Sequence, residues 1–274
     1  MDALSKDAIV MPTGITTNEP MALATGTDTT KVCHPALTAS SNCKEPMLLS
    51  LGHKTSDEML EVSIEGIRLW LHAKRGVFWP DKRTLFIADT HFGKEATFRS
   101  QGIAAPRGST RATLNTIAEM IAECDASRLI LLGDMFHAQS SLSQDIREAL
   151  DRFFRSHPHL KTSLVLGNHD RGIHALIQDW PIDIIDSGTV LDLISISHFP
   201  QVPSQPAKLL LCGHLHPAYR FQSKLDSVGK LSCFWLSNRQ LVLPAIGEFT
   251  GTQVVHPSKT DQTWVIVDDR ILRV

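Results

Sequence analysis

Five groups of polar residues in this sequence stand directly behind apolar runs of strand length: Asp89-Thr90-His91, Gly133-Asp134, Gly167-Asn168-His169-Asp170, Ser197-His198 and Gly213-His214-Leu215-His216. As ligand types they offer two Asp, one Asn and four His, with no Cys among them. Imidazole suits zinc, iron, manganese or nickel, whereas carboxylate and amide oxygens draw harder ions. The mixed set therefore selects a divalent transition metal over a structural zinc or calcium site. Seven ligands are too many for one such ion. Two ions bridged by one carboxylate, each keeping a position for water, accommodate them, and such a pair suits hydrolysis of phosphate esters. Each group alone is weak, since Gly-Asp is usually a turn and Gly-His-x-His is common. All five in this order, each behind a buried strand, are hard to produce by chance.

Convergence requires elements that deliver these groups to one place. Thr84-Leu85-Phe86-Ile87-Ala88, Leu129-Ile130-Leu131-Leu132 and Ser163-Leu164-Val165-Leu166 read as buried strands. Between them, Ser109 to Glu123 carries Leu114, Ile117, Met120 and Ile121 at helical spacing, with Ser109 or Thr110 as N-cap, and Gln144 to Arg155 is a second amphipathic helix. The pattern β-α-β-α-β predicts a parallel or mixed sheet. The second half, with runs at 182–185, 193–196, 209–212, 235–243 and 264–267, is strand-rich and predicts a second, more antiparallel sheet packed on the first, with helices on the outer faces. In layered α/β proteins ligands bind beyond the carboxyl ends of strands, which is where all five groups lie.

The chain has 274 residues, 42% hydrophobic and 20% charged, enough for a full core and too apolar for general disorder. No run approaches the roughly 18 apolar residues of a spanning helix, so no membrane role is expected. With 27 basic and 29 acidic residues there is no bulk cationic surface. A polyanionic substrate must be drawn by a local site, for which Lys94, Arg99, Arg107, Arg111 and Arg171 could form a basic rim. The five cysteines are odd in number and include no Cys-x-x-Cys, which predicts a reducing, cytoplasmic setting. The first fifty residues are rich in Thr, Ala, Ser and Pro, and no aromatic residue precedes Trp70. Residues 1–58 are expected to be a disordered tail and 59–274 the folded domain. The histidines at 34, 53, 72, 137, 157, 159, 174 and 256 are assigned surface or core roles, His137 alone being close in sequence to Asp134.

The five groups resemble the signature of the calcineurin-like metallophosphoesterase superfamily over about residues 60 to 274. Within it, Asp89-Thr90-His91-Phe92-Gly93-Lys94, Gly108-Ser109-Thr110-Arg111, Cys233-Phe234-Trp235-Leu236 and Leu243-Pro244-Ala245-Ile246-Gly247-Glu248-Phe249-Thr250-Gly251 resemble the bacterial ligase-associated phosphoesterases and DNA damage response endonucleases. That resemblance implies an α/β four-layer αββα sandwich of two mixed β-sheets flanked by helices. One metal would be held by Asp89, His91, Asp134 and His216, and a second by Asp134, Asn168, His198 and His214. His169 would be the catalytic residue, assisting the leaving group, and Asp170 either orients it or serves the turn. It further implies two divalent ions, Mn2+ first with Zn2+ or Fe as alternatives. A hydroxide would attack a phosphodiester, DNA above all, in line. The setting would be a homodimer working with a DNA ligase, helicase and exonuclease of a repair system. Two readings stay open beside it: a small-molecule phosphoesterase acting on nucleotides, cyclic nucleotides or lipid-linked pyrophosphates, and a non-catalytic scaffold of the same fold.

Overall fold

A computed structural model describes residues 58–138, 142–170, 172–222 and 227–274. The expected tail, apart from Glu58, and Arg171 of the expected basic rim lie outside the described residues.

Seven strands form the first sheet in chain order: β1 (Met59–Ile64), β2 (Ile67–His72), β3 (Val77–Trp79), β4 (Thr84–Ile87), β5 (Arg128–Leu131), β6 (Lys161–Val165) and β7 (Ile182–Ile185). β1 to β4 pair antiparallel through short turns, and β4 to β7 pair parallel, with Phe86 opposite Ile130 and Ile130 opposite Ser163. The parallel steps are crossed by α1 (Lys94–Ser100), α2 (Ser109–Cys124), α3 (Gln144–Ser156) and the short α4 (His174–Ile177). The second sheet takes β8 (Val190–Leu191), β9 (Ile194–Ile196), β10 (Leu209–Cys212), β11 (Pro217–Gln222), β12 (Ser227–Ser237), β13 (Gln240–Val242), β14 (Gln253–Val254), β15 (Gln262–Val267) and β16 (Arg270–Arg273). It is mixed: β9, β10 and β13 run parallel, while β12 meets β11, β13 and β15 antiparallel.

Side-chain alternation along the central strands explains the layering. Leu85, Ile87, Leu129 and Leu131 point to one face, where they bury Leu114, Ile117 and Met120 of α2 and Ile146, Leu150 and Phe153 of α3. Phe86, Ala88, Ile130 and Leu132 point the other way, into a second core completed by Ile194, Leu209, Leu211, Phe234 and Leu241 of the second sheet. The two sheets therefore share one apolar interior, as the sandwich class requires. β4, β5, β6, β9 and β10 all end at the same polar stretches that the sequence singles out.

One local expectation is corrected. The N-cap of α2 is Gly108 at φ 99, not Ser109 or Thr110, both of which are buried. Buried Glu95 of α1 accepts hydrogen bonds from the Thr110 amide (3.3 Å) and hydroxyl (3.0 Å), so a carboxylate from a neighbouring helix serves where a local cap would. Three cysteines, Cys124, Cys212 and Cys233, are free and buried, and burial pushes the thiols of Cys124 and Cys233 up to about 12.

Phe234 is fully buried between the sheets. Phe234→Ala should lower unfolding stability by about 3–5 kcal/mol, measured as a fall in the urea midpoint at unchanged m-value.

Candidate metal centre

The strand ends bring all seven donor residues together. Asp89, His91 and His216 form one group and Asp134, His198 and His214 a second, in each of which the ligand atoms lie within 4.8 Å of one another. Asp134 joins the two groups: its Oδ2 is 3.8 Å from His91 Nε2 and 3.5 Å from His198 Nε2. Asn168 Oδ1 stands 3.1 Å from His198 Nε2, which places it in the second group.

Each carboxylate is held by one oxygen and offers the other. Asp89 Oδ2 accepts from the His214 amide (2.9 Å), leaving Oδ1, which is 3.3 Å from His216 Nε2. Asp134 Oδ1 accepts from the His169 amide (2.9 Å), leaving Oδ2 at the junction. Three imidazoles are oriented by main-chain carbonyls: His198 Nδ1 donates to Leu132, His216 Nδ1 to Gly251 and His169 Nδ1 to His137, at 2.9, 2.8 and 2.9 Å. A carbonyl cannot donate, so in the neutral rings each Nε2 keeps its lone pair.

The outcome is a cluster of buried polar atoms, rich in acceptors, that the protein does not fully pair. His198 Nε2 lies 3.2 Å from His214 Nδ1 as well as beside Asn168 and Asp134. Asp89 Oδ1 and both ring nitrogens of His91 are buried with no hydrogen-bond partner. Burial, reinforced by the His216, Lys94, His169 and His137 side chains, pushes His91 down to about 2, so its ring is neutral and able to ligate. Buried acceptors left unsatisfied are costly, and divalent cations are the partners that this mixed oxygen and nitrogen set fits.

The backbone is strained to achieve this. Asp89, His91, Asp134, His214 and His216 all adopt positive φ, between 43° and 71°, a region that non-glycine residues occupy at a cost of order 1–3 kcal/mol each. At Gly167 the need is for space: a Cβ there would lie 2.2 Å from Asp134 Oδ1.

Asp170 and His137 take roles that spacing left undecided. Fully buried Asp170 accepts from the amides of Gly167 (2.9 Å), Met135 (2.9 Å) and Phe136 (3.3 Å), so it ties the turn after β6 to the one after β5. His169 is instead oriented by the His137 carbonyl, and the His137 ring stacks on it with centroids 5.3 Å apart. His137, given a surface or core role above, thus belongs to the rim of the site; its one signal in the sequence is its closeness to Asp134. A further acidic cluster, Glu58, His72 and Glu123, is answered from within the chain, because Lys74 Nζ sits 3.3, 3.3 and 2.7 Å from Glu58, Glu119 and Glu123.

Comparison with known proteins agrees with this geometry. Residues 82–267 match the family profile described as calcineurin-like phosphoesterase. Among solved structures, the chain is similar to the Pseudomonas putida nuclease MPE, with a TM-score of 0.68 and 30% identity over 79% of this chain and 100% of that one. Weaker likenesses are to the Aquifex aeolicus protein of unknown function AQ665 (TM-score 0.36, 24% identity, 48% and 77% of the two chains) and to the Escherichia coli phosphoesterase Yfce (TM-score 0.37, 13% identity, 70% and 97%). No curated protein matches.

Gly167→Ala should weaken divalent-cation binding about 10–100-fold by displacing Asp134 while far-ultraviolet circular dichroism is unchanged; calorimetric titration with Mn2+ checks this.

Proposed function

The chain belongs to the calcineurin-like phosphoesterase family, and from that premise we propose that it is a manganese-dependent phosphodiesterase that cuts DNA. In this reading Asp89, His91, Asp134 and His216 hold one ion and Asp134, Asn168, His198 and His214 the other, Asp134 bridging. The observation that carries it is the junction position of Asp134 Oδ2 within 3.8 Å of an imidazole from each donor group. Two divalent ions bound there would supply charge to bind phosphoryl oxygens and to make water nucleophilic at neutral pH.

The protein's own groups account for the rest. The His214 and His169 amides fix the two carboxylates, so neither must reorganise when substrate arrives. His169 Nδ1 is committed to the His137 carbonyl, so the Nε2 proton that would pass to the departing oxygen belongs to the imidazolium form, which carries a proton on each nitrogen and returns to the neutral ring on giving it up. A positioned acid of this kind contributes about 10²–10⁴ in rate.

A polymeric substrate is favoured by an arginine-lined cleft on the helices that follow β4 and β5. Arg99, Arg107 and Arg111 line a cleft of about 320 Å³ whose wall includes Glu95 and Thr110, and Thr110 accepts from the Gly93 amide, two residues from His91. Guanidinium groups are suited to bidentate phosphate contacts, and affinity resting on a few of them falls steeply with salt. The nuclease description of the Pseudomonas putida relative supports the same substrate. The resemblance of residues 89–94, 108–111, 233–236 and 243–251 to ligase-associated phosphoesterases adds manganese, a homodimer, the cytoplasm and a repair system with a DNA ligase, helicase and exonuclease to the proposal.

Bis(p-nitrophenyl) phosphate and supercoiled plasmid, offered to metal-stripped full chain as Mn2+ is titrated in, test it. Ester cleavage and nicking should rise together, Asp134→Ala should lose metal and both activities, and ester cleavage without nicking would replace DNA by a small phosphoester. His169→Ala should keep its metal and lose about 10²–10⁴ of turnover on an unactivated diester; wild-type turnover there would end the proton-donor role.

A further inference from the structure

The stretch Gly247 to Gly251 supplies no metal donor, yet it is fastened to the centre at both ends. The Gly247 amide donates to the Asp89 carbonyl (3.1 Å), and the Gly251 carbonyl receives the Nδ1 hydrogen bond that orients His216 (2.8 Å). Its approach to the turn after β4 is so close that a Cβ on Gly247 would lie 2.3 Å from the Thr90 carbonyl oxygen. Between these anchors the Thr250 hydroxyl donates to the Gly247 carbonyl (2.9 Å), closing the turn.

At the centre of that turn stands Phe249, at φ 59 and 42% exposed. A bulky side chain at positive φ is an outlier, and such a conformation persists only where the surroundings over-determine it. Here the surroundings are the hydrogen bonds to Asp89 and His216, and what they hold out toward solvent is an apolar ring. Among the described residues its ring contact is with Phe98 of α1, centroids 6.5 Å apart, over which Lys94 Nζ lies at 6.0 Å.

A second ring stands beside the other donor group. Phe199 follows His198 directly, is also 42% exposed, and packs edge-on against His198 and His214 with centroids 4.7 and 4.6 Å away. Single exposed apolar side chains are ordinary on protein surfaces. Two exposed phenyl rings, one fixed to each half of a binuclear donor set and neither able to ligate, are not distributed like ordinary surface residues. A phenyl face offers no hydrogen bond or charge for a phosphate; it offers a flat π surface, which suits the bases attached on either side of one.

We propose that Phe249 and Phe199 are positioning residues that stack the nucleobases flanking the phosphodiester to be cut. This rests on the nucleic-acid reading above and deepens it, because it assigns the sugar-phosphate chain to the donor groups and the arginine cleft, and the bases to two fixed rings. Stacking accepts any base, so the platforms confer register along the strand with little sequence preference. Alanine in place of one ring should weaken capture of a base-bearing strand about tenfold, within the range that such substitutions show.

The test compares two single-stranded oligonucleotides of equal length, one of thymidylate and one of tetrahydrofuran abasic units, cleaved by manganese-loaded full chain. For the wild type, kcat/KM should be about a hundredfold higher on the thymidylate strand, each ring contributing about tenfold. In Phe249→Ala and in Phe199→Ala that ratio should fall to about tenfold, and Phe249→Trp and Phe199→Trp should restore it while the corresponding Leu variants do not. A ratio unchanged from the wild type in the alanine variants, even with both rates reduced, would show that the rings only support the fold and would overturn the inference. A wild type indifferent to the bases would overturn it too. Failure of the wild type to cut either strand while it hydrolyses bis(p-nitrophenyl) phosphate would reject the nucleic-acid reading itself, and this inference with it.

Discussion

Two carboxylates, those of Asp89 and Asp134, are withdrawn from water at the ends of neighbouring parallel strands, and the surrounding structure answers that burial. An isolated buried carboxylate is among the most expensive groups a protein can hold. Each is given one backbone amide, and beyond that imidazole nitrogens crowd both, with the Asn168 amide oxygen beside the second group. The ordinary remedy, a nearby Lys or Arg, is used elsewhere in this chain: Lys74 sits among Glu58, Glu119 and Glu123. At the strand ends Lys94 acts on Asp134 only from a distance, no Lys or Arg among the described residues pairs directly with either carboxylate, and divalent charge is the remedy the donors fit.

The geometry of the sandwich follows from this demand. Parallel strands with crossover helices align their carboxyl ends, so Asp89, Asp134 and Asn168 emerge side by side from the first sheet. The second sheet contributes His198, His214 and His216 from β9 and β10, themselves parallel neighbours. Chain that must turn sharply out of a buried strand while aiming a side chain back at the site adopts left-handed backbone conformations, which accounts for positive φ at five of the seven donor residues. The packed interior between the sheets, with Phe86, Ile130 and Phe234 at its heart, holds that strain in place.

Much of this is legible in the sequence because it is local. A strand of apolar residues announces itself, the polar residue that ends it is adjacent, and the amphipathic spacing of Leu114, Ile117, Met120 and Ile121 needs no partner to be seen. What escapes is set by residues far apart in the chain. Glu95 replacing a local cap on α2, the His137 carbonyl orienting His169, and Asp170 serving amides 34 and 35 residues away depend on tertiary approach that spacing does not encode. The 243–251 motif shows the boundary well: its residues are conspicuous as a resemblance, yet only the bonds to Asp89 and His216 reveal what the turn is fastened to.

The strand order carries a consequence for biosynthesis. The first sheet pairs its seven strands strictly in chain order, so each can join the edge as it leaves the ribosome, with little loop-closure entropy to overcome. The donors are divided between the sheets, and the carbonyl that orients His216 comes still later, at Gly251. A growing chain can therefore assemble a half-sheet bearing Asp89, Asp134 and Asn168 well before it possesses His198, His214 and His216. The donor set is thereby incomplete until β10 and the turn at Gly251 have been made, an order of assembly that arises from topology alone.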